Sequence, residues 1–283
     1  MRPIVTKETS APAPSVRFLY NTRFGGAVLR LLTRRWISKL AGAFLDSVLS
    51  RGLIKGYIRR NGIDMSQFEE EKYKSFNAFF TRRIRAGLRP FAIENAEFPS
   101  PCDGKISAYR VDEGGRYEIK GFPYTVESLL KNSELAKKYE GGLCIVLRLA
   151  VEDYHRYFYL DDCEKGENVF LKGRLHTVQP YALEKRRVFT ENCREYTVLH
   201  TANFGDVTQV EVGAMMVGRI VNNHGAGAFK RGEEKGRFEF GGSTIVLLVE
   251  KDKVSLDEEF FVNTANGDET VVRCGERIGV ANI

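Results

Sequence analysis

Gly241-Gly242-Ser243-Thr244, followed by the apolar run Ile245–Val249, sets a serine hydroxyl behind two glycines at the head of a buried strand. Glycine tolerates conformations and close approaches that other residues do not. A serine placed there can attack the preceding carbonyl once a base removes its proton. As a bare pattern, however, Gly-Gly-Ser is usually just a turn. His155, in Asp153-Tyr154-His155-Arg156-Tyr157, is one of four histidines, with His176, His200 and His224. Imidazole is the side chain best suited to proton transfer near neutral pH, although a lone strand histidine is usually structural. Asp103, in Ser100-Pro101-Cys102-Asp103-Gly104, has the setting of a turn aspartate before a strand. His176, in Lys172-Gly173-Arg174-Leu175-His176-Thr177-Val178-Gln179-Pro180, lies in what reads as a strand ending at a proline.

Taken together, these segments say more than any one of them. With Phe76-Asn77-Ala78-Phe79-Phe80-Thr81-Arg82, Arg89-Pro90, SPCDGKI at 100–106, Lys120-Gly121, DYHR at 153–156, VEVGAMMVGRI at 210–220 and KRGEEKGRFEFGGST at 230–244, the chain resembles the phosphatidylserine decarboxylase family. The resemblance runs from Phe76 to about Val249 and agrees in order and spacing. It implies a proenzyme that cuts itself between Gly242 and Ser243. The Ser243 hydroxyl attacks the Gly242 carbonyl to give an ester. Elimination leaves a dehydroalanine, and hydrolysis turns that into a covalent pyruvoyl group derived from Ser243. Residues 1–242 become the larger product and 243–283 the smaller. The mature enzyme then converts phosphatidylserine to phosphatidylethanolamine and CO2 through a Schiff base, with pyruvoyl as electron sink and no metal.

The resemblance also suggests roles for individual residues. Ser243 needs a base and a carboxylate to orient that base. Asp103 matches the carboxylate. Many members carry two histidines in a Tyr-His-Arg-x-His pattern, the second usually assigned to self-cleavage. Here His155 matches the first, and the second position is Phe158, which cannot transfer a proton. Two readings stay open: His155 serves both cleavage and decarboxylation, or His176 supplies the missing imidazole from another direction. A paralogue that has lost its activity is a third.

The elements that must position these groups fall into two parts. From Phe18 to about Ile63, Val28, Leu31, Leu32, Trp36, Leu40, Phe44, Leu45 and Val48 recur at helical spacing. Asp46 is the only acidic residue from Thr9 to Ile63, against ten Arg or Lys. An apolar stripe beside a basic face suits a helix lying in the headgroups of an anionic membrane, or a core helix with a basic outer face. A second helical segment is expected within 66–98, ending near Gly87 and Pro90. Beyond Pro101 come short alternating runs, among them 105–111, 143–149, 155–160, 186–190, 207–213, 215–221, 237–240 and 244–250, interrupted by a helix at 125–138 capped by Thr125. The expected fold is α+β, with N-terminal helices followed by a mostly antiparallel β barrel or sandwich. Residues 1–98 form the membrane-associating region and 99–283 the catalytic domain.

The five cysteines, Cys102, Cys144, Cys163, Cys193 and Cys274, form no CxxC pair and read as reduced thiols. Neither a signal peptide nor a run of the roughly 18 apolar residues a spanning helix requires is evident. The expected location is therefore peripheral, on the cytoplasmic face of the cell membrane. The implied partners are phosphatidylserine in an anionic membrane and the protein's own two cleavage products, and the resemblance is compatible with a homodimer. A net charge of +6 also fits nucleic acid, but no helix-turn-helix, zinc-finger or RNP signature supports that. A non-catalytic membrane-associated β-protein and a pyruvoyl enzyme for a soluble amino acid are the other rivals. Phe158 favours the former, while the basic N-terminus and SPCDG weigh against the latter.

Overall fold

The computed structural model describes residues 2–6, 14–92, 94–214, 219–239 and 243–282. After a two-residue strand at Ile4–Val5 come the α-helices α1 (Pro14–Asn21), α2 (Arg23–Leu32), α3 (Arg35–Asp46) and α4 (Gly52–Asn61). Thr22 caps α2 by accepting a hydrogen bond from the Gly25 amide. Gly62, at φ 59°, ends α4 in the left-handed conformation that glycine takes without strain. Leu29 and Leu45 are buried, whereas Phe24, Leu31, Trp36, Leu40, Val48 and Leu49 remain exposed.

Among its described residues, the segment expected to be helical within 66–98 holds the end of a 3-10 turn (Met65–Gln67) and one short α-helix, α5 (Phe76–Phe80), before a strand at Glu97–Pro99. Phe68, Phe76, Phe79 and Phe80 pack with Leu45, Ile63 and Tyr154 into a small core of their own. Gathering those rings from several directions requires the chain to fold back, which one helical stripe cannot do.

Several antiparallel β-sheets follow, completing an α+β fold. The largest has ten strands. Its main path runs Ile4–Val5, Glu269–Val272, Gly104–Arg110, Leu143–Leu149, Ser243–Val249, Asp206–Val212, Arg194–Thr201, Cys163–Lys165 and Gly227–Phe229, with Val169–Leu171 also paired to Arg194–Thr201. The barrel half of the barrel-or-sandwich expectation is not met. The path ends on strands of two and three residues that do not pair with each other, and such short edges leave too little ladder to close a sheet. The architecture is sandwich-like, with smaller sheets beside the large one. One of these comprises Arg156–Phe158, Ile220–Asn222 and Glu234–Phe238.

The two central strands, Leu143–Leu149 and Ser243–Val249, are buried along their whole length. Their near-continuous apolar sequence is what a strand covered on both faces requires. Elsewhere local chemistry modified the expectations. The helix at 125–138 is two helices, Val126–Leu130 and Ser133–Lys137. Thr125 caps the first, Lys131 breaks it in the left-handed region at φ 55°, and Asn132 caps the second. Residues 186–190, expected as a strand, belong to a turn leading into a short helix, Val188–Glu191. The expected strand 215–221 falls mostly on 215–218, outside the described residues.

Two buried ion pairs flank the central strand. Lys235 and Glu211 are fully buried, with Nζ 2.7 Å from Glu211 Oε1 and 2.7 Å from Asn222 Oδ1. Arg148 pairs with Glu269 through Nε and Nη2. A charge buried this deeply is tolerated only with its partner in place.

Candidate active site

Ser243 opens the strand Ser243–Val249, opposite Leu149 on one neighbour, while Thr244 lies opposite Val212 on the other. Directly opposed residues of an antiparallel pair share a face, and successive residues alternate. Ser243 is therefore on the face of Glu211, and Thr244 on the face of Arg148. The Ser243 side chain is wholly buried, and among the described residues its Oγ has no hydrogen-bond partner. A buried hydroxyl is normally satisfied, so this one is free for chemistry. Gly242, the other half of the expected scissile bond, lies outside the described residues, as do Phe240 and Gly241.

The fold brings His155 to the same end of the sheet. Leu149, opposite Ser243, leads into a tight turn closed by the Asp153 amide on the Ala150 carbonyl, and His155 follows. From the other side, the Phe238 amide donates to the His155 carbonyl at 2.9 Å, five residues before Ser243. The imidazole is fully buried, with its centroid 4.1 Å from that of Phe80. Its Nδ1 lies 2.9 Å from the Asp153 carbonyl oxygen. A carbonyl only accepts, so the proton sits on Nδ1 and Nε2 carries the lone pair. That Nε2 is buried without a hydrogen-bond partner among the described residues. Burial, with smaller contributions from Arg82 and Lys105, pushes its pKa down to about 3. The side chain is a neutral acceptor throughout the physiological range.

The depressed value has a consequence for stability. An unfolded histidine titrates near 6.5, so on acidification the unfolded chain takes up the proton first. Stability due to this group is complete above about pH 6.5 and falls by about 1.4 kcal/mol per pH unit down to about pH 3. Denaturant midpoints measured across this range will show the loss, and His155→Gln will remove its share. An identical slope in the variant would assign the effect to other groups.

The turn that holds His155 is itself anchored. Lys105 Nζ reaches Asp153 Oδ2 at 2.7 Å and Glu152 Oε1 at 2.9 Å, and Asp153 Oδ2 accepts from the Ala150 amide at 2.7 Å. Arg82, buried against the Phe68 ring at 4.0 Å, donates to the Glu152 carbonyl.

Asp103 is buried, but its carboxylate does not meet an imidazole. Arg89 grips it from two sides, Nε to Oδ1 at 2.8 Å and Nη2 to Oδ2 at 2.7 Å, and the Cys274 amide donates to Oδ1 at 2.8 Å. Phe158 sits beside this turn, its amide donating to the Pro101 carbonyl at 2.9 Å. Its ring packs near Tyr154 and Phe91. At the usual second-histidine position the chain thus has an aromatic wall, and the nearby carboxylate is held by arginine.

His176 is placed elsewhere. Its Nδ1 is 3.3 Å from the Tyr20 hydroxyl of α1, and its Nε2 is 3.5 Å from Glu191, too long for a good hydrogen bond. Burial, with Arg186 and Arg174, lowers its pKa to about 4. Asn192 ties it indirectly to the central strands, donating to both the His176 and the Gly213 carbonyls.

The structure therefore brings Ser243 and His155 to one end of the sheet, holds Asp103 on Arg89, and turns His176 toward α1. Sequence reasoning did not single out Lys105, Phe80, Glu211 or the use of Arg89. All four lie inside family-like stretches, which was the available signal. For Glu211 it ran against the ordinary expectation that an acidic residue in a strand faces solvent. The residues present fit a group made from Ser243: the position is enclosed, its oxygen is unbonded, and a neutral acceptor is carried by the adjoining turn.

The family model described as phosphatidylserine decarboxylase matches residues 76–280. Phosphatidylserine decarboxylase proenzyme 2 of Clostridium acetobutylicum is 43% identical over 268 residues, covering 94% of this chain and 92% of its own. The corresponding proenzyme of Ruminiclostridium cellulolyticum is 41% identical over 267 residues, covering 92% and 89%. That of Clostridium novyi is 40% identical over 270 residues, covering 93% and 92%. With a match of this extent and identities of this size along nearly the whole chain, the protein belongs to the phosphatidylserine decarboxylase family.

Proposed function

We propose that this protein cleaves itself before Ser243 and then decarboxylates phosphatidylserine to phosphatidylethanolamine at a membrane surface. The observation that carries the reading is the buried, unbonded Ser243 hydroxyl at the head of a central strand, in a chain of this family.

Ser243 Oγ attacks the Gly242 carbonyl carbon while His155 Nε2 takes the hydroxyl proton. The new C–O bond replaces the C–N bond, and the proton passes to the departing Ser243 nitrogen, leaving an ester and a free amine. Loss of the Ser243 α-proton then expels the Gly242 carboxylate, and water converts the resulting enamine to a ketone with release of ammonia. When present, the pyruvoyl group supplies an electrophilic carbonyl for the substrate amine and a sink for the electron pair left behind by CO2. His155 Nε2 is the atom that carries a proton back to the substrate α-carbon. Asp103 acts as a positioning residue: with Arg89 it fixes the 100–104 turn, against which the Arg156–Phe158 strand is bonded. Phe80 keeps water from the imidazole.

Cleavage leaves the two products interleaved. Strand Ser243–Val249 pairs on both sides with strands of the larger product, and Glu269–Val272 and Arg277–Ala281 pair with it too. Separating the products means breaking the centre of the sheet, so they act as one enzyme.

The functional division falls near residue 98, with 1–98 meeting the bilayer and 99–283 doing the chemistry. No helix of the described residues is long and apolar enough to cross a membrane. Exposed Phe24, Leu31, Trp36, Leu40, Val48 and Leu49 beside a strongly basic surface suit peripheral docking on an anionic leaflet, which for this enzyme is the cytoplasmic face of the cell membrane.

The test is turnover of phosphatidylserine in mixed vesicles before and after treatment with phenylhydrazine, which captures reactive carbonyls. Phosphatidylethanolamine should form, and the reagent should abolish its formation. Undiminished turnover after treatment would remove the pyruvoyl group from the mechanism, and no product from cleaved protein would remove the substrate assignment.

A further inference from the structure

A cationic crevice lies where the α2–α3 turn meets the 173–176 segment. Two adjoining cavities make it, of about 570 and 460 Å³, and Arg30 and Arg174 wall both. Arg34, Trp36 and Lys39 complete the first, and His176 and Arg186 the second. No carboxylate among the described residues lines either cavity. Among the described residues, the side chains of Arg30, Arg34, Lys39, Arg174 and Arg186 make no hydrogen bond or ion pair. Elsewhere in the molecule cations are commonly paired, as in Arg89–Asp103, Lys105–Asp153 and Arg156–Glu234. Five cations around one concavity repel one another and favour an anion between them.

The crevice is built rather than incidental. The Leu175 amide donates to the Thr33 carbonyl at 3.2 Å, joining the segment to the helical turn. Arg174 is fixed by its own amide on the Glu191 carbonyl at 2.8 Å and by the Cys193 amide on its carbonyl at 2.7 Å. Gly173 lets the chain run this close, since a Cβ there would come within 2.4 Å of the Glu191 carbonyl oxygen. His176, which lines the second cavity, is 2% exposed, and among the described residues its Nε2 makes no hydrogen bond, with Glu191 Oε2 standing 3.5 Å away.

The rim chooses the kind of anion. Trp36 is 50% exposed, and Leu31 and Leu40 stand exposed on the same two helices. A soluble phosphate has no use for such a rim, whereas a lipid seats its phosphodiester among the cations and its glycerol and chains over the apolar side chains.

We propose that this crevice binds the phosphodiester of an anionic bilayer phospholipid. The proposal rests on the docking role given to residues 1–98 and adds a specific site to it. Because Asn192 bridges His176 to Gly213, the residue after Val212, an occupied crevice holds the bilayer in a set relation to the strand end bearing Ser243.

The experiment is co-sedimentation of the full-length protein with vesicles of phosphatidylcholine and phosphatidylglycerol at about two to one, lipids that are not the substrate. The double variant Arg30→Gln/Arg174→Gln should bind about thirtyfold more weakly, while Arg59→Gln/Arg60→Gln, an equal charge change at the end of α4, should lose less than about threefold. Lysine at positions 30 and 174 should restore much of the binding. Retained self-cleavage shows that each variant is folded. Equal losses in the two double variants would mean diffuse attraction and no site, overturning the proposal. Inorganic phosphate raising the thermal midpoint of the wild type but not of Arg30→Gln/Arg174→Gln, with no difference between the variants on vesicles, would make this a site for a soluble anion and also overturn it. A wild type that ignores the vesicles would instead defeat the docking role beneath the proposal.

Discussion

Ser243→Ala will remain a single uncut chain and will form no phosphatidylethanolamine, a loss of at least about four orders of magnitude. The variant deletes the attacking atom and, with it, the source of the carbonyl group. No neighbour can replace it. Thr244 also carries a buried, unbonded hydroxyl, but alternation along the strand turns it to the opposite face, toward Arg148. The change itself removes one oxygen that makes no hydrogen bond, so the fold should lose little stability. Intact mass under denaturing conditions reads the result directly. Wild type should give two fragments divided at Gly242–Ser243, the smaller blocked by pyruvoyl, and the variant one. Cleavage of the variant at that bond would sink the role of Ser243. An uncut wild type would mean that Phe158 has cost the protein its maturation, favouring the non-catalytic reading.

The second large effect belongs to His155. His155→Gln should slow self-cleavage by about 10²- to 10⁴-fold, the usual range for a lost general base. Glutamine can keep a donor toward the Asp153 carbonyl, but it has no lone pair basic enough to take the Ser243 proton. The exposed His200, bonded to Asp206, is the control, and His200→Gln should mature normally. Cleavage is followed as the ratio of uncut chain to fragments after synthesis, alongside thermal midpoints to separate chemistry from folding. A wild-type rate in His155→Gln would hand the proton to another acceptor. The one the fold offers is Glu211, diagonal to Ser243 on the same face, with Oε1 held by Lys235 and Gln209 and Oε2 unbonded.

That alternative shows where reading the sequence stops. Glu211 and Lys235 stand in strands where polar residues ordinarily alternate toward water. Only the sheet containing Glu234–Phe238 and Arg156–Phe158, brought against the larger one, turns that face into an interior. Asp103 is similar: its residue type and turn were legible, but its partner Arg89 lies fourteen positions earlier and is delivered by tertiary packing. His155 was legible as an imidazole in a family-like stretch. Its tautomer and its depressed pKa come from the Asp153 carbonyl, Phe80 and burial, which no local spacing encodes. His176 had the right chemistry, and packing turned it toward Tyr20.

By itself the sequence determined what depends on neighbours along the chain. That includes the N-terminal helices with their basic and apolar faces, the Thr125 cap, the buried run after Ser243, the family, and the serine at the cleavage motif. The tertiary structure alone decided which charges pair, which hydroxyl and ring nitrogen are left unbonded, and that the large sheet stays open. Periodicity, caps and turn residues are short-range and leave their mark in the order of residues. Pairing and burial depend on segments far apart in sequence, and only the folded topology sets which of them meet.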